Sequence, residues 1–252
     1  MSLDRMVYTF NSGIKQVMDR MSTSSNNLAN VATTGFRAQI DSLRSAPVVG
    51  DGLPTRTLSI AASTGSSFQQ GAILETGNNL DVAIEGKGWI VVKGADGQEA
   101  YTRAGSLGLD IAGMLQTQQG QKVMGDSGGI SGPITVPPNT TLLIGKDGTV
   151  SVSQTGSSSN VIQILGRIKL VNPPEKSLLR GDDGLFRLPP GQTATPTADV
   201  TLLGGSIESS NVNSIEEMVN MINLSRQFEI NVKMLQNADT IAGKADQLLT
   251  FN

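Results

Sequence analysis

The stretch SIEEMVNMINLSRQFEINVKMLQNADTIAGKADQLL, residues 214–249, decides the fold class. Along it Met221, Leu224, Phe228, Asn231, Leu235, Ala238, Ala242, Ala245 and Leu249 step by three and four without a break. That spacing keeps one stripe of side chains on one face of an α-helix. The stretch contains no proline, and Gly243 is its one weak point. Ser214 followed by Glu217 reads as a capping box opening the helix. The pattern predicts a helix of about 36 residues, roughly 54 Å long. Arg226 with Glu229, and Glu229 with Lys233, are spaced for surface pairing along it.

The other end of the chain repeats the pattern. Val7, Phe10, Ile14, Val17, Met21, Leu28 and Val31 keep the same spacing, with Ser24 the weak member. A helix from about Leu3 to Ala32 is predicted, with Ser2 as N-cap and Asp4 in the first turn. Thr33-Thr34-Gly35 then closes it, Gly35 taking the left-handed conformation. Both stripes are narrow and average about 3.5 residues, the period of a seam for other helices. Met6, Met18, Met21, Met218, Met221 and Met234 fit such seams better than an adaptable partner surface. Asn231, and Asn26, Asn27 and Asn30 late in the first helix, are suited to fixing register by amide hydrogen bonds.

Between the helices the chain reads differently. From Ser45 to Asn79 it is rich in Ser, Thr, Gly and Pro, an extended connector with short strand pieces such as Arg56 to Ala61. From Leu80 to Gly204 turn signals recur at Asp96-Gly97, Asp147-Gly148 and Asp183-Gly184, each between strand-like runs. This predicts an antiparallel β domain, and the whole chain is expected to be α+β.

Composition removes several chemistries. The 252 residues contain no histidine and no cysteine, so zinc sites, thiol chemistry and a Ser-His-Asp triad are excluded. Net charge is −3 with no basic block, leaving no electrostatic footprint for nucleic acid. Apolar residues make up 38% and aromatic ones 4%, so any core must be built from small aliphatics. No apolar run reaches the roughly 18–20 residues of a bilayer span. The start, MSLDRMVYTF, has no long apolar core followed by small residues, so no Sec signal peptide is expected.

No catalytic, cofactor or metal site emerges. The Asp-Gly pairs sit where hairpins need turn residues and lack EF-hand spacing. Asp182-Asp183, flanked by Arg180 and Arg187, reads as a solvated charge cluster. Gly86-Lys87-Gly88 fits neither the dinucleotide nor the P-loop pattern. An exported carbohydrate-active enzyme using Asp182, Asp183 or Glu85 would need two carboxylates across a bond, and the spacing supports no such pair.

Several motifs carry a resemblance. Asn26-Asn27-Leu28-Ala29-Asn30-Val31-Ala32-Thr33-Thr34-Gly35-Phe36-Arg37 resembles the N-terminal signature of bacterial flagellar rod and hook proteins. Glu208-Ser209-Ser210-Asn211-Val212-Asn213, followed by Glu217-Met218-Val219-Asn220-Met221-Ile222, resembles their C-terminal signature. Asn79 to Trp89 and Tyr101-Thr102-Arg103-Ala104-Gly105-Ser106 resemble shared β-domain motifs. Within the family, Phe36-Arg37-Ala38-Gln39, Leu53 to Thr57 and Arg180 to Leu188 are most similar to proximal rod members, with distal rod members the alternative.

The resemblance implies a layout and a role. Residues 1–35 would form an N-terminal axial helix, 36–79 the connector, 80–205 an outer β-rich domain, and 206–252 a C-terminal axial helix packed with the first. The terminal helices would form a coiled-coil-like axial layer, with Val7, Phe10, Ile14, Val17, Met21, Leu28, Val31, Met218, Met221, Leu224, Phe228, Asn231, Leu235 and Leu249 packing between subunits. Partners would be other copies and other rod proteins, proximal and distal, and the flagellar type III export apparatus during secretion. Neither nucleic acid nor a small-molecule substrate is expected. The location implied is the periplasmic rod of the flagellar basal body.

Overall fold

Helix α2, Ser214–Thr250, forms where the uninterrupted three-four spacing places it, and α1, Leu3–Ala29, forms at the other end. The computed structural model describes residues 3–47, 57–127, 130–154 and 162–250. The expected cap at Ser2 and the strand start at Arg56 lie outside them. The chain is α+β, a helix at each end and antiparallel strands between. Among the described residues no helix is long and apolar enough to cross a membrane.

The chain divides into two units. One comprises Met1–Val31, Ala38–Ser67 and Val212–Asn252; the other comprises Ala32–Arg37 and Phe68–Asn211. In the first, α1 and α2 pack against each other. Strands β1, Gln39–Pro47, and β2, Thr57–Ser66, form an antiparallel hairpin with Gln39 opposite Ser66 and an irregularity between Ser42 and Leu43. Both strands also touch α1. The strand piece expected from Arg56 to Ala61 falls, over its described residues, within β2, whereas β1 and the pairing of the two strands were not expected, because Ser, Thr and Ala give little alternation.

Both helix ends differ from expectation. α1 stops at Ala29, before Thr33. The next turns tighten: Asn30 N–H donates to the Asn26 and Asn27 carbonyls at 3.2 and 3.1 Å, and Val31 N–H to Leu28 at 3.3 Å. Gly35 is thus no helix cap. At the start of α2 the capping box is replaced by Asn213, whose Oδ1 accepts from Ile215 N–H at 3.1 Å and Glu216 N–H at 3.5 Å. Asn is as good an N-cap as Ser, and it frees Glu217 for another contact.

The second unit is built from the predicted hairpins. Trp89–Lys93 pairs with Glu99–Thr102 around Asp96-Gly97, Thr140–Ile144 with Thr149–Gln154 around Asp147-Gly148, and Leu179–Arg180 with Phe186–Arg187 around Asp183-Gly184. Trp89–Lys93 lies at the centre, with both faces buried. Ile90 and Val92 enter an aliphatic core with Val82, Ile84, Leu115 and Val123, while Trp89 and Val91 enter a smaller core with Tyr101 and Phe186. Two buried faces explain why this strand reads as a continuous apolar run rather than an alternation. The smaller core takes much of the chain's scarce aromatic content. The Trp89 and Phe186 centroids are 4.7 Å apart, and Phe68 lies 6.1 and 5.7 Å from them.

Gly105 marks a tight backbone approach, since a Cβ there would lie 1.6 Å from the Val82 carbonyl oxygen. Ile90→Ala should cost about 2–4 kcal/mol through lost burial and a residual cavity. By contrast Ile111→Ala, at a fully exposed position, should change stability by less than about 0.5 kcal/mol. Denaturant unfolding followed by Trp89 fluorescence separates the two.

Candidate assembly sites

In the helical unit, the predicted seam divides by burial. Val17, Leu224 and Ala238 are buried, and Phe10, Ile14, Met21, Leu28, Val31, Met221, Phe228, Asn231 and Leu235 are half-buried. Met218 is exposed, and the side chains of Val7 and Leu249 lie outside the described residues. Within one chain, then, α1 and α2 cover much of each other's stripe. A second stripe runs along α2 on the opposite face: Ile215, Val219, Ile222, Ile230, Met234 and Ile241, flanked by Met218, are all exposed. At 3.6 residues per turn, Ile222 and Ile230 lie about 160° and 120° around the helix from Leu224. Tyr8 and Met18 are exposed on α1.

Asn27 ties this unit together. Its side chain is 2% exposed. Its Nδ2 donates to the Gln39 carbonyl at 3.0 Å and its Oδ1 accepts from Gln39 N–H at 2.8 Å, as a strand partner would. Nδ2 also donates to Glu217 Oε1 at 2.9 Å. One amide therefore joins α1, β1 and α2, and Glu217 serves here rather than in a capping box. Thr23 adds a second α1–β1 link by donating to Asp41 Oδ1 at 2.7 Å. The remaining N-terminal motif residues are less enclosed: Asn26 and Ala29 are exposed, and Asn30, half-buried, donates from Nδ2 to the Asn26 carbonyl at 2.9 Å.

In the β unit the motifs converge on Glu208, which is 0% exposed. Its Oε1 accepts from Arg37 Nη2 at 2.8 Å and from Gly71 N–H at 3.0 Å, and its Oε2 from Arg103 Nη1 at 2.9 Å. The Glu208 carbonyl accepts from Gly35 N–H at 2.8 Å. Arg103 continues to the Gly86 carbonyl at 2.6 Å and lies over the Trp89 ring at 5.6 Å, while Arg37 Nη1 donates to the Gln69 carbonyl. Gly35, at φ +68°, approaches so closely that a Cβ would lie 2.2 Å from the Arg103 carbonyl carbon. That approach, rather than a helix cap, is what needs glycine here.

Asn211 of the C-terminal motif frames the same place. Asn211 N–H donates to the Phe36 carbonyl at 3.3 Å and Asn211 Nδ2 to the Gln69 carbonyl at 2.8 Å. Ser210, Val212 and Phe36 are half-buried, and Asn213 is exposed. Burial lowers the Arg37 pKa, with Glu208 opposing the shift and Arg103 adding to it. Glu208 sat within a quoted motif without being singled out. Its signal was an inverted alternation: in Ser206–Glu208 the serine and glutamate are the buried positions and Ile207 is not.

The charges around Asp182-Asp183 form an exposed cluster, as read from the sequence, but without Arg180. Arg187 holds Asp183 through Nη1 at 2.9 Å and Nη2 at 2.6 Å, and reaches Asp96 at 3.3 Å. Arg180 leaves the cluster, donating to the Arg37 carbonyl at 2.6 Å and covering the Phe36 ring at 4.5 Å. The Arg187 hydrogen bonds hold the Asp183 carboxyl below its usual 3.8. Among the described residues no group of three or more His, Cys, Asp or Glu side chains could hold a metal ion.

Glu208→Gln, which leaves two buried guanidiniums around a neutral amide, should cost about 3–5 kcal/mol. Arg187→Gln, at a partly exposed pair, should cost at most about 1 kcal/mol. Because the folded Asp183 pKa is depressed below 3.8, its contribution is complete above that value and is lost as pH falls through the lower folded value. Asp183→Asn should therefore flatten the fall in stability below about pH 4, as measured by denaturant titrations across pH.

Comparison with known proteins agrees with these motifs. Residues 203–248 match the family description "Flagellar basal body rod FlgEFG protein C-terminal", and residues 83–152 match "Flagellar hook protein FlgE/F/G D1 domain". The chain is 41% identical over 256 aligned positions to the flagellar basal-body rod protein FlgF of Escherichia coli, covering 99% of this chain and 100% of that one. It is 38% identical to FlgF of Salmonella typhimurium at the same coverage. To the rod protein FlgG of Buchnera aphidicola it is 33% identical, over 94% of this chain and 96% of the relative. The chain belongs to the flagellar basal-body rod protein family, a family of structural rather than enzymatic proteins, and within it is FlgF-like.

Proposed function

We propose that this chain is a subunit of the proximal flagellar rod that polymerises through its terminal helices and carries torque from rotor to hook. The observation that carries the assembly mode is the second apolar stripe of α2, opposite the face packed on α1. A monomer gains nothing from large exposed aliphatics aligned along a helix, whereas burial gives about 25 cal/mol per Å² of apolar surface removed from water. The α1–α2 pair would then be the repeating element, and the outer stripe the seam between chains. The residues named from the sequence, among them Leu224, Phe228 and Asn231, would form the inner half of the same layer. Partners would be further copies and other rod proteins, proximal and distal.

Rod location in the periplasm, reached through the flagellar type III export apparatus, follows from the same reading. Family membership supports it. The similarity to FlgG relatives keeps a distal rod role as the alternative.

The two stripes make different demands. Ile222→Asp and Ile230→Asp should leave the unfolding free energy of the isolated chain within about 0.5 kcal/mol, yet block incorporation into basal bodies and motility. Leu224→Asp should instead destabilise the free chain by several kcal/mol, since it buries a charge without a partner. Normal rods containing Ile222→Asp chains would rule out the outer seam. Intact rods and motility after deletion of the whole chain would rule out the rod-subunit role.

A further inference from the structure

The charges gathered around Glu208 do not balance. Arg37 and Arg103 are 2% and 5% exposed and share one carboxylate, Glu208. Arg180, at the Arg37 carbonyl, is a third guanidinium held by a carbonyl and a ring rather than by a carboxylate. Among the described residues, Arg37 Nε and Arg103 Nε are buried donors without a hydrogen-bond partner. A charged donor left in that condition is costly, and burial already lowers the pKa of Arg37.

Both guanidiniums line a cavity of about 220 Å³. Trp89 and Phe68 supply apolar lining, and Lys87 and Glu175 stand on its rim, 3.4 Å apart and partly exposed. Two arginines and two aromatic rings therefore line the cavity, and the opening reaches solvent beside the Lys87–Glu175 pair. An anionic head on a short apolar stem matches each of these surfaces. Two guanidiniums sharing one carboxylate leave a net positive charge at the cavity, and that charge attracts a carboxylate.

We propose that this cavity receives the carboxylate of an aspartate or glutamate side chain presented by a neighbouring protein subunit. The identity of the occupant as a subunit rests on the rod reading above; the anion preference rests on the cavity. Docking would set an anion beside the two guanidiniums that share Glu208 and partly offset their surplus positive charge. It would also act on the point where residues 35–37, 69–71 and 208 are bound together.

Trp89 is the only tryptophan, so its emission reports on the cavity in the full chain. The probes are acetyl-Gly-Glu-Gly-amide, acetyl-Gly-Gln-Gly-amide and inorganic phosphate. The glutamate peptide should change Trp89 emission saturably with a Kd on the order of 1 mM, near −4 kcal/mol, and the glutamine peptide should not. Lys87→Glu, at an exposed rim position, should weaken the glutamate peptide about fivefold or more without altering unfolding of the free chain. No saturable change, equal response to both peptides, or tighter binding of phosphate than of the glutamate peptide would each overturn the proposal. In cells, Lys87→Glu should lower incorporation into rods. If rods need the chain while the peptide fails to bind, the cavity proposal alone falls; if rods form without the chain, the rod reading falls whatever the peptide does.

Discussion

A carboxylate with no access to water has to find its hydrogen bonds inside the protein, and Glu208 finds them in three separate parts of the chain. Arg37, Gly71 and Arg103 meet its side chain, and Gly35 meets its backbone. The net worth of such an ion cluster relative to an apolar replacement is small, because desolvation opposes attraction. What it provides is geometry. Removing any one partner leaves a buried charge unmet, so the segments are bound to a single arrangement.

Asn27 does the equivalent work in the helical unit with a neutral amide. It imitates a strand's donor and acceptor toward Gln39 and adds a bond to Glu217. An amide costs less to bury than a charge, and all of its named bonds lie within hydrogen-bond distance. Both devices use signature residues to join elements far apart in sequence, which accounts physically for motifs sitting at opposite ends of the chain.

The helices show a division of labour that a seam count alone conceals. α2 carries apolar residues on two faces, one packed on α1 and one exposed. A sequence reader following the unbroken three-four stripe finds only the first face. The second is broken by Arg226 and Asn237, so it registers as scattered exposed residues until the helix is folded and its partner placed.

Much of this protein was legible in its residues. The terminal helices followed from uninterrupted periodicity, and the three Asp-Gly hairpins from turn chemistry that few other structures satisfy. Both are local, governed by contacts within a few positions. The β1–β2 hairpin was not legible, because Ser, Thr and Ala on paired strands give little period-two contrast. Helix ends shifted because Asn30, Val31 and Asn213 offered bonds that competed with the simplest cap rules. Tertiary structure alone decided the pairing of Glu208 with Arg37 and Arg103, the diversion of Arg180 to Phe36, and which face of α2 is covered. These depend on which distant segments meet, and no local pattern encodes the identity of a partner 100 or more residues away.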